Sequence, residues 1–389
     1  ARGEIMADEK IMEVSQALAY AVKQCKPDVI PMYPITPQTH IVEKLADYVD
    51  NGELKSQIIH ADSEFSAISA ALGASASGSK VFTATASQGL ALMHEVLHII
   101  SGMRLPVVMA VANRALSAPI NIWNDHQDSM SARDTGWIQF YVESSQEAYD
   151  TIFMAYQLAN QKNILLPVMV CLDGFSLSHV FEPVEMFNQQ TINSFLGKYQ
   201  PQHPVLDTKK PVTMGPVGFP DTFMSFKKAQ QDAMEQALKE IKSISAGFKK
   251  MSGRNYGDGL IETYNLSGSE SAILCMGSVC GTVRDAIDDL KKNNVNVGLI
   301  KMKTYRPFPE SRLKQLSKNL KNIAVIDKDI SIGATGAVAA DVKAALRDVP
   351  QKNVQDYIMG LGGKDITKND IYQIVQNFDK KITTPKWMV

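Results

Sequence analysis

The sequence predicts an α/β protein built from two parallel-sheet domains. Three observations carry this expectation. Short apolar and β-branched runs alternate with longer stretches of helical periodicity from about residue 10 to 172. Pro201, Pro204, Pro211, Pro216 and Pro220 then punctuate a weakly apolar stretch that breaks the alternation. The alternation resumes afterwards and runs to the C-terminus, and 389 residues suffice for two domains.

In the first half, strands are expected at 28–32, 80–85, 106–112, 135–141 and 166–172. Helices are expected between them at 10–24, 37–50, 63–77, 87–101 and 145–161. Residues 182–256 read as a structured linker containing a polar, Lys-rich helix over about 221–250. In the second half, strands are expected near 271–276, 295–301, 322–327 and 355–359, with helices near 281–293, 309–319, 335–348 and 367–378. The division is placed at residue 240, giving domains 1–240 (with its C-terminal linker) and 241–389. Ligands of parallel sheets sit beyond the carboxyl ends of the strands. Tyr33-Pro34-Ile35-Thr36-Pro37 follows the first of these strands and falls at such an edge.

Composition narrows the function classes. The chain is 45% hydrophobic and 21% charged with a formal net charge of −1, so it lacks the basic footprint of a nucleic-acid-binding protein. No apolar run approaches the roughly 18 residues that suggest a membrane span. Ala1-Arg2-Gly3-Glu4 lacks the apolar core of a signal peptide, and a cytoplasmic location is expected. Cys25, Cys171, Cys275 and Cys280 are scattered, and Cys275-x4-Cys280 fits neither a ferredoxin run nor a zinc ribbon. They read as reduced, buried thiols, so no iron–sulfur cluster is expected on this chain.

Several local patterns are candidates for chemistry. Pro37 suits the first position of a helix, which would make Thr36 its N-cap. A helix N-terminus also binds anions, so Thr36 is either a plain cap or a donor aimed at a carboxylate. Glu64 lies in the first turn of the small-residue helix expected over 63–77, either as a charge complementing the helix dipole or as a buried acid facing a cofactor ring. Arg114 lies just past a strand end and offers a planar fork for a carboxylate. It precedes about twenty residues without clear periodicity, ending in Trp123-Asn124-Asp125-His126-Gln127-Asp128, and long loops of this kind are usually functional.

Two motif matches are set aside. His94-Glu95-Val96-Leu97-His98 has the HExxH spacing of zinc hydrolases, but no glutamate follows between Glu95 and Glu143 to supply a third ligand. Gly257-Asp258-Gly259 resembles the start of a thiamine diphosphate metal motif, yet a polar stretch rather than a strand precedes it, and Arg284-Asp285-Ala286-Ile287 stands where asparagine would. It reads as a turn.

Taken in order, residues 33–39 (YPITPQT), 63–78 (SEFSAISAALGASASG), 83–98 (TATASQGLALMHEVLH), 113–119 (NRALSAP), 125–141 (DHQDSMSARDTGWIQFY) and 361–367 (LGGKDIT) resemble the alpha subunit of pyruvate and related 2-oxoacid:ferredoxin oxidoreductases. The resemblance runs from about residue 10 to 378. It implies a pyrimidine-binding domain of a thiamine diphosphate enzyme followed by a transketolase C-terminal-like domain. It also implies partners: a beta subunit holding the diphosphate and Mg2+, gamma and delta subunits, [4Fe-4S] clusters in beta and delta, and ferredoxin as electron acceptor. The implied reaction is oxidative decarboxylation of pyruvate with coenzyme A to acetyl-CoA and carbon dioxide, by a complex in which the isolated chain is inactive.

Carried over by position, Glu64 matches the glutamate that hydrogen-bonds the aminopyrimidine and favours its imino form. Thr36 and Arg114 match residues contacting the substrate carboxylate, and Ile122 an apolar position near the substrate methyl. Pro34, Thr85, Ser87 and Gln88 would lie along the cofactor. The chain departs from relatives at Phe65, where histidine is usual, and at Ala118-Pro119-Ile120-Asn121, where a second proline and an aromatic residue are usual. The oxalate-using branch carries a basic residue where this chain has Thr36. Pyruvate is therefore the expected substrate, ahead of branched-chain acids such as 2-oxoisovalerate. A zinc hydrolase acting through His94 and His98, or a non-catalytic scaffold, are the remote alternatives.

Overall fold

The structure, a computed structural model, describes residues 6–350 and 352–389. The expectation drawn from Ala1-Arg2-Gly3-Glu4 lies outside the described residues.

The first unit runs β1 (Met6–Glu13), α1 (Val14–Cys25), β2 (Val29–Met32), α2 (Thr39–Asp50), β3 (Gln57–His60), α3 (Glu64–Ala76), β4 (Phe82–Thr85), α4 (Ser87–Leu92), α5 (His94–Gly102), β5 (Val108–Asn113), α6 (Gln127–Ser131), β6 (Ile138–Val142), α7 (Ser145–Ala159) and β7 (Val168–Asp173). Strands β4 to β7 are continuous buried runs with few polar interruptions, as expected where helices cover both faces of a sheet. They order as β6-β7-β5-β4, all parallel. A parallel bridge from Val29 to Val81 extends this sheet to the parallel pair β2-β3. Every parallel strand therefore ends at one edge, and the chain segments leaving that edge build the site.

Helix α7 is buried nearly all round, between the sheet, α1 and α9 (Phe223–Ser252). Ser144 caps it, accepting from the Glu147 amide at 3.2 Å. Between β7 and α9 lie β8 (Phe181–Phe187), antiparallel to β1, and α8 (Gln189–Leu196). In α9, Ala233, Ala237, Ile241, Ile244 and Phe248 form the buried stripe, while its first turns stay exposed.

The second unit comprises β9 (Ile261–Tyr264), β10 (Ser271–Cys275), α10 (Val279–Lys292), β11 (Gly298–Met302), β12 (Thr304–Arg306), α11 (Glu310–Ser317), β13 (Asn322–Asp327), α12 (Ala337–Leu346), β14 (Asn353–Ile358), a short turn of helix over Leu361–Gly363, α13 (Lys368–Gln376) and β15 (Lys386–Trp387). Its sheet orders β15-β14-β13-β10-β11-β9, parallel except for β9.

The elements expected from periodicity are present, and the differences have local causes. Residues 10–13 are strand rather than helix, because β1 pairs with β8 up to Glu13. The helix expected over 87–101 divides at Met93 into α4 and α5. Helix α2 starts at Thr39, not Pro37: the Gln38 amide closes a turn onto the Ile35 carbonyl at 2.9 Å. Gln38 is the residue before that helix, so Thr36 does not cap it. Gly257-Asp258-Gly259 is a turn, its Asp258 carboxylate accepting from the amides of Leu260 and Ile261 at 3.1 and 2.9 Å. No helix among the described residues is long and apolar enough to cross a membrane.

The two units are joined by more than packing. Strand β12 leaves the second sheet and adds antiparallel to β6, placing Thr304 opposite Phe140. Immediately before it, Lys301 and Lys303 reach the fully buried Glu147 of α7 at 2.8 and 2.6 Å. Arg254, just past α9, grips Asp150 with two nitrogens at 2.6 and 2.7 Å. Burial opposes ionisation of Glu147, but the two lysines outweigh it and draw the carboxyl down from 4.5 to about 2. A depressed carboxylate contributes stability above its unfolded value, here about 4.5, and loses it as pH falls toward 2. Glu147→Gln leaves the buried Lys303 ammonium without its carboxylate partner, while Lys301 keeps Glu143 and Glu262. It should cost about 3–5 kcal/mol at neutral pH and shrink the acid-induced loss of stability below pH 4.5; denaturant unfolding at several pH values checks both.

Candidate active site

The segments leaving the carboxyl ends of β2, β3, β4, β5 and β7 meet at one edge of the first sheet. Thr36 follows β2, Glu64 follows β3, Thr85 ends β4, Ser87 opens α4, and Arg114 follows β5. Glu64 is the first residue of α3, behind Ser63, whose hydroxyl accepts from the Ser66 amide at 3.1 Å. Only 8% of Glu64 is exposed, and it makes no hydrogen bond or ion pair among the described residues. A Cβ added at Gly89 would meet Thr85 Oγ1 at 2.5 Å and Glu64 Oε1 at 2.7 Å. Carboxylate, hydroxyl and glycine thus enclose one small space, and only glycine leaves it open.

Three buried polar atoms at this edge lack a partner among the described residues: Thr85 Oγ1, Gln38 Oε1 and Asn113 Oδ1. Gln38 is otherwise engaged, its Nε2 donating to the Tyr33 carbonyl at 2.9 Å and so spanning the turn that holds Thr36. Thr36 and Pro34 are exposed at the mouth, and Ile122 is half-buried in the loop after Arg114.

Arg114 is held rather than free. Its Nη1 donates to the Thr36 carbonyl at 2.9 Å and its Nε to the Asn121 carbonyl at 3.1 Å. Its Nη2 makes no bond among the described residues, so one edge of the fork remains for a ligand. Burial lowers the Arg114 pKa, and nearby Asp128 raises it in part. Thr36 and Arg114 are therefore in contact, through the Thr36 backbone carbonyl.

Asp128 organises the edge, and nothing in its sequence context singled it out. Its Oδ2 accepts from the amides of Ser87 (2.8 Å) and Arg114 (3.0 Å), and its Oδ1 from Asn113 Nδ2 and the Ser129 amide (2.7 Å each). Burial pushes its carboxyl up, while these donors pull it down. Ser87 sits at φ 48, a left-handed conformation uncommon for a residue with a side chain. Its amide on Asp128 and its hydroxyl on the Ala115 carbonyl, 2.5 Å away, fix it there. Gln88 Oε1 lies 2.6 Å from the same hydroxyl.

The loop 121–126 is held by the second unit. Asn121 Nδ2 donates to the Gly362 carbonyl at 3.0 Å, and the Gly362 amide to Asp125 at 3.1 Å. Burial pushes the Asp125 carboxyl up to about 6. His126 Nε2 lies 2.8 Å from Asp173 Oδ1, and Lys328 Nζ lies 3.0 Å from Asp173 Oδ2. Burial opposes ionisation of Asp173, but Lys328 and His126 outweigh it and hold the carboxyl well below the usual range. His94 and His98 face each other on α5 with ring centres 5.1 Å apart, and among the described residues no third metal ligand joins them.

Comparison with known proteins places these features. Residues 20–246 match the family model described as "Pyruvate flavodoxin/ferredoxin oxidoreductase, thiamine diP-bdg", and residues 269–371 match "Pyruvate:ferredoxin oxidoreductase core domain II". The chain is 52% identical to pyruvate synthase subunit PorA of Methanocaldococcus jannaschii over 97% of this chain and 96% of that one. It is 41% identical to ketoisovalerate oxidoreductase subunit VorA of Pyrococcus horikoshii over 97% and 95%. Among solved structures, a 2-oxoglutarate:ferredoxin oxidoreductase from Magnetococcus marinus aligns at TM-score 0.75 and 18% identity, over 95% of this chain and 65% of that one. A split-gene transketolase aligns at TM-score 0.55 and 11% identity, over 95% and 97%. The fold is thus shared with both.

Asp128→Asn replaces one acceptor oxygen with an amide donor facing N–H groups. It should destabilise the chain by about 1–3 kcal/mol, whereas Asp125→Asn, at a carboxylate that among the described residues accepts only from the Gln127 and Gly362 amides, should be milder. Denaturant unfolding of the two variants checks the order.

Proposed function

The chain belongs to the pyruvate flavodoxin/ferredoxin oxidoreductase family, and from that premise we infer that it is the alpha subunit of a pyruvate:ferredoxin oxidoreductase. The reaction is oxidative decarboxylation of pyruvate with coenzyme A to acetyl-CoA and carbon dioxide. The observation that carries the reading is Glu64: a carboxylate 8% exposed, without a partner, facing the orphaned Thr85 hydroxyl over a glycine at the carboxyl edge of the sheet. The greater identity to the pyruvate-named relative than to the ketoisovalerate-named one, 52% against 41%, favours pyruvate over 2-oxoisovalerate.

The residues present fit a thiamine ring: an unpaired acid and a free hydroxyl stand beside a space that a single Cβ would fill. When bound, thiamine diphosphate supplies the carbon nucleophile and the electron sink that decarboxylation of a 2-oxoacid needs. Glu64 would offer a carboxyl oxygen to a ring nitrogen as a hydrogen-bond partner, and the low local dielectric would strengthen that bond. Thr85, Ser87, Gln88 and Pro34 shape the wall along the ring. Arg114 presents its free Nη2 to the substrate carboxylate, and Thr36, tied to Arg114 through its carbonyl, presents its hydroxyl beside it. Ile122 lines the side taken by the substrate methyl. Holding these groups in place before substrate arrives lowers the barrier without chemistry of their own.

The same reading assigns the diphosphate, Mg2+ and one [4Fe-4S] cluster to a beta subunit and further clusters to a delta subunit, with a gamma subunit completing the assembly and ferredoxin as acceptor, in the cytoplasm. Two features of this chain support that division. The Asp258 carboxylate is occupied by backbone amides, and all four cysteines are buried. In this reading residues 1–240 are the pyrimidine-binding domain with its linker and 241–389 the transketolase C-terminal-like domain, the division falling within α9.

In the complex with its partners, Glu64→Gln should lower pyruvate- and coenzyme A-dependent dye reduction by about 10²–10⁴-fold. Arg114→Lys should raise KM for pyruvate about ten- to hundredfold, the value of one charge-assisted hydrogen bond. Steady-state assays with viologen as acceptor read both, and unchanged turnover in Glu64→Gln removes its assigned role.

A further inference from the structure

A second group of ligating side chains lies at the same sheet edge but outside the site above. Glu13 ends β1, His40 lies in the first turn of α2, and His179 lies between β7 and β8. One ligand atom from each lies within 4.8 Å of the other two, and this is the one such group among the described residues.

The simplest account is a histidine–carboxylate hydrogen bond flanked by stacked rings. His40 Nδ1 is 2.7 Å from Glu13 Oε1, and the rings of His40 and His179 are 4.5 Å apart. That account leaves the support around His179 unexplained. Its Nδ1 is 2.7 Å from Ser178 Oγ, and that oxygen also accepts from the Phe175 amide at 2.9 Å. The Ser178 carbonyl in turn accepts from the Ser15 amide at 3.0 Å and the Ser15 hydroxyl at 2.8 Å. Phe175 covers the ring at 4.6 Å. One ring nitrogen is therefore engaged by an anchored partner, and Nε2 makes no hydrogen bond among the described residues. An anchored partner on the far nitrogen is how proteins orient a metal-binding imidazole.

The three ligands differ in exposure as a metal site requires. Glu13 is 5% exposed and fixed, while the His40 side chain is 45% exposed and leaves a path to solvent. Two imidazoles and one carboxylate suit zinc-like divalent ions, whereas Mg2+ and Ca2+ prefer oxygen alone.

We propose that Glu13, His40 and His179 bind one divalent transition-metal ion of the zinc class, with water completing its coordination. The ion clamps the first turn of α2 to β1 and to the turn after β7. His40 stands four residues beyond Thr36, so the clamp braces the segment that carries Thr36. The site is independent of the thiamine reading, because none of its ligands belongs to that machinery.

The test uses the assembled complex, treated with chelator, returned to excess Mg2+, and then given Zn2+. Elemental analysis after dialysis should find one more zinc per chain in the wild type than in His40→Gln or His179→Gln. Each variant should weaken binding by at least about tenfold, and zinc should raise the thermal midpoint of the wild type alone. Zinc-edge X-ray absorption should show nitrogen and oxygen ligands including two imidazoles. Equal zinc in wild type and variants, meaning an adventitious ion only, or sulfur ligation of the retained zinc, overturns the proposal. If a variant assembles poorly, the wild-type absorption spectrum alone still decides it.

Discussion

The site depends on one buried carboxylate. Asp128 accepts four N–H donors, from Ser87, Asn113, Arg114 and Ser129, and so ties the ends of β4 and β5 to the start of α6. Both oxygens are filled by donors, so the group acts only as an acceptor. It holds Ser87 in a backbone conformation that a side chain disfavours and sets the direction in which the chain leaves β5. Arg114 follows from that direction, and Arg114 in turn fixes the Thr36 carbonyl. Without Asp128 the arginine, the threonine turn and the mouth of α4 lose their common reference.

The second unit extends this constraint instead of merely adjoining it. Lys328 and His126 share Asp173, while the Ser278 amide donates to the same carboxylate at 2.9 Å and the Ser278 hydroxyl also reaches it. Lys328 also reaches Asn124, and Gly362 is bonded in both directions to the loop that carries Ile122. A loop of this length between β5 and α6 would be mobile if it rested on its own sheet alone. Here its polar groups are spent on the second unit, and strand β12 pairs with β6 of the first sheet. The two-unit chain is therefore the smallest piece that can present an ordered edge.

Much of the architecture was legible because it is local. Periodicities of two and 3.6 located β4 to β7, β10, β13 and most helices within a few residues. Strands of weak signal were missed: β3 (Gln57–His60) has no fully buried residue, and β12 has three residues and a partner from the other unit. Of the two alternatives for Thr36 the cap fails, because a proline at the start of a helix and a proline closing a turn look alike in sequence. What separates them is Gln38 reaching back to Tyr33. Asp128 was hidden for a different reason. Its partners lie one, 14, 15 and 41 residues away, and no short motif encodes such a set. Glu64, Thr36 and Arg114 could be named only because the family's motifs surround them; spacing alone left each with a plain structural alternative.

A framework and a working surface make opposite demands on hydrogen bonding. The framework is stiff when every buried donor has its acceptor, as around Asp128 and Asp173. The working surface must keep atoms unspent, and each buried orphan costs about 1–3 kcal/mol. Thr85 Oγ1 at the end of β4 is one such atom, facing the unpartnered Glu64 across Gly89; Gln38 Oε1, on the segment after β2, and Asn113 Oδ1, at the end of β5, are two more. The cost is offset when a ligand with its own donors enters, and it then appears as binding affinity and orientation. A side chain at position 89 would cover both the acid and the hydroxyl, and glycine there leaves them open to a ligand.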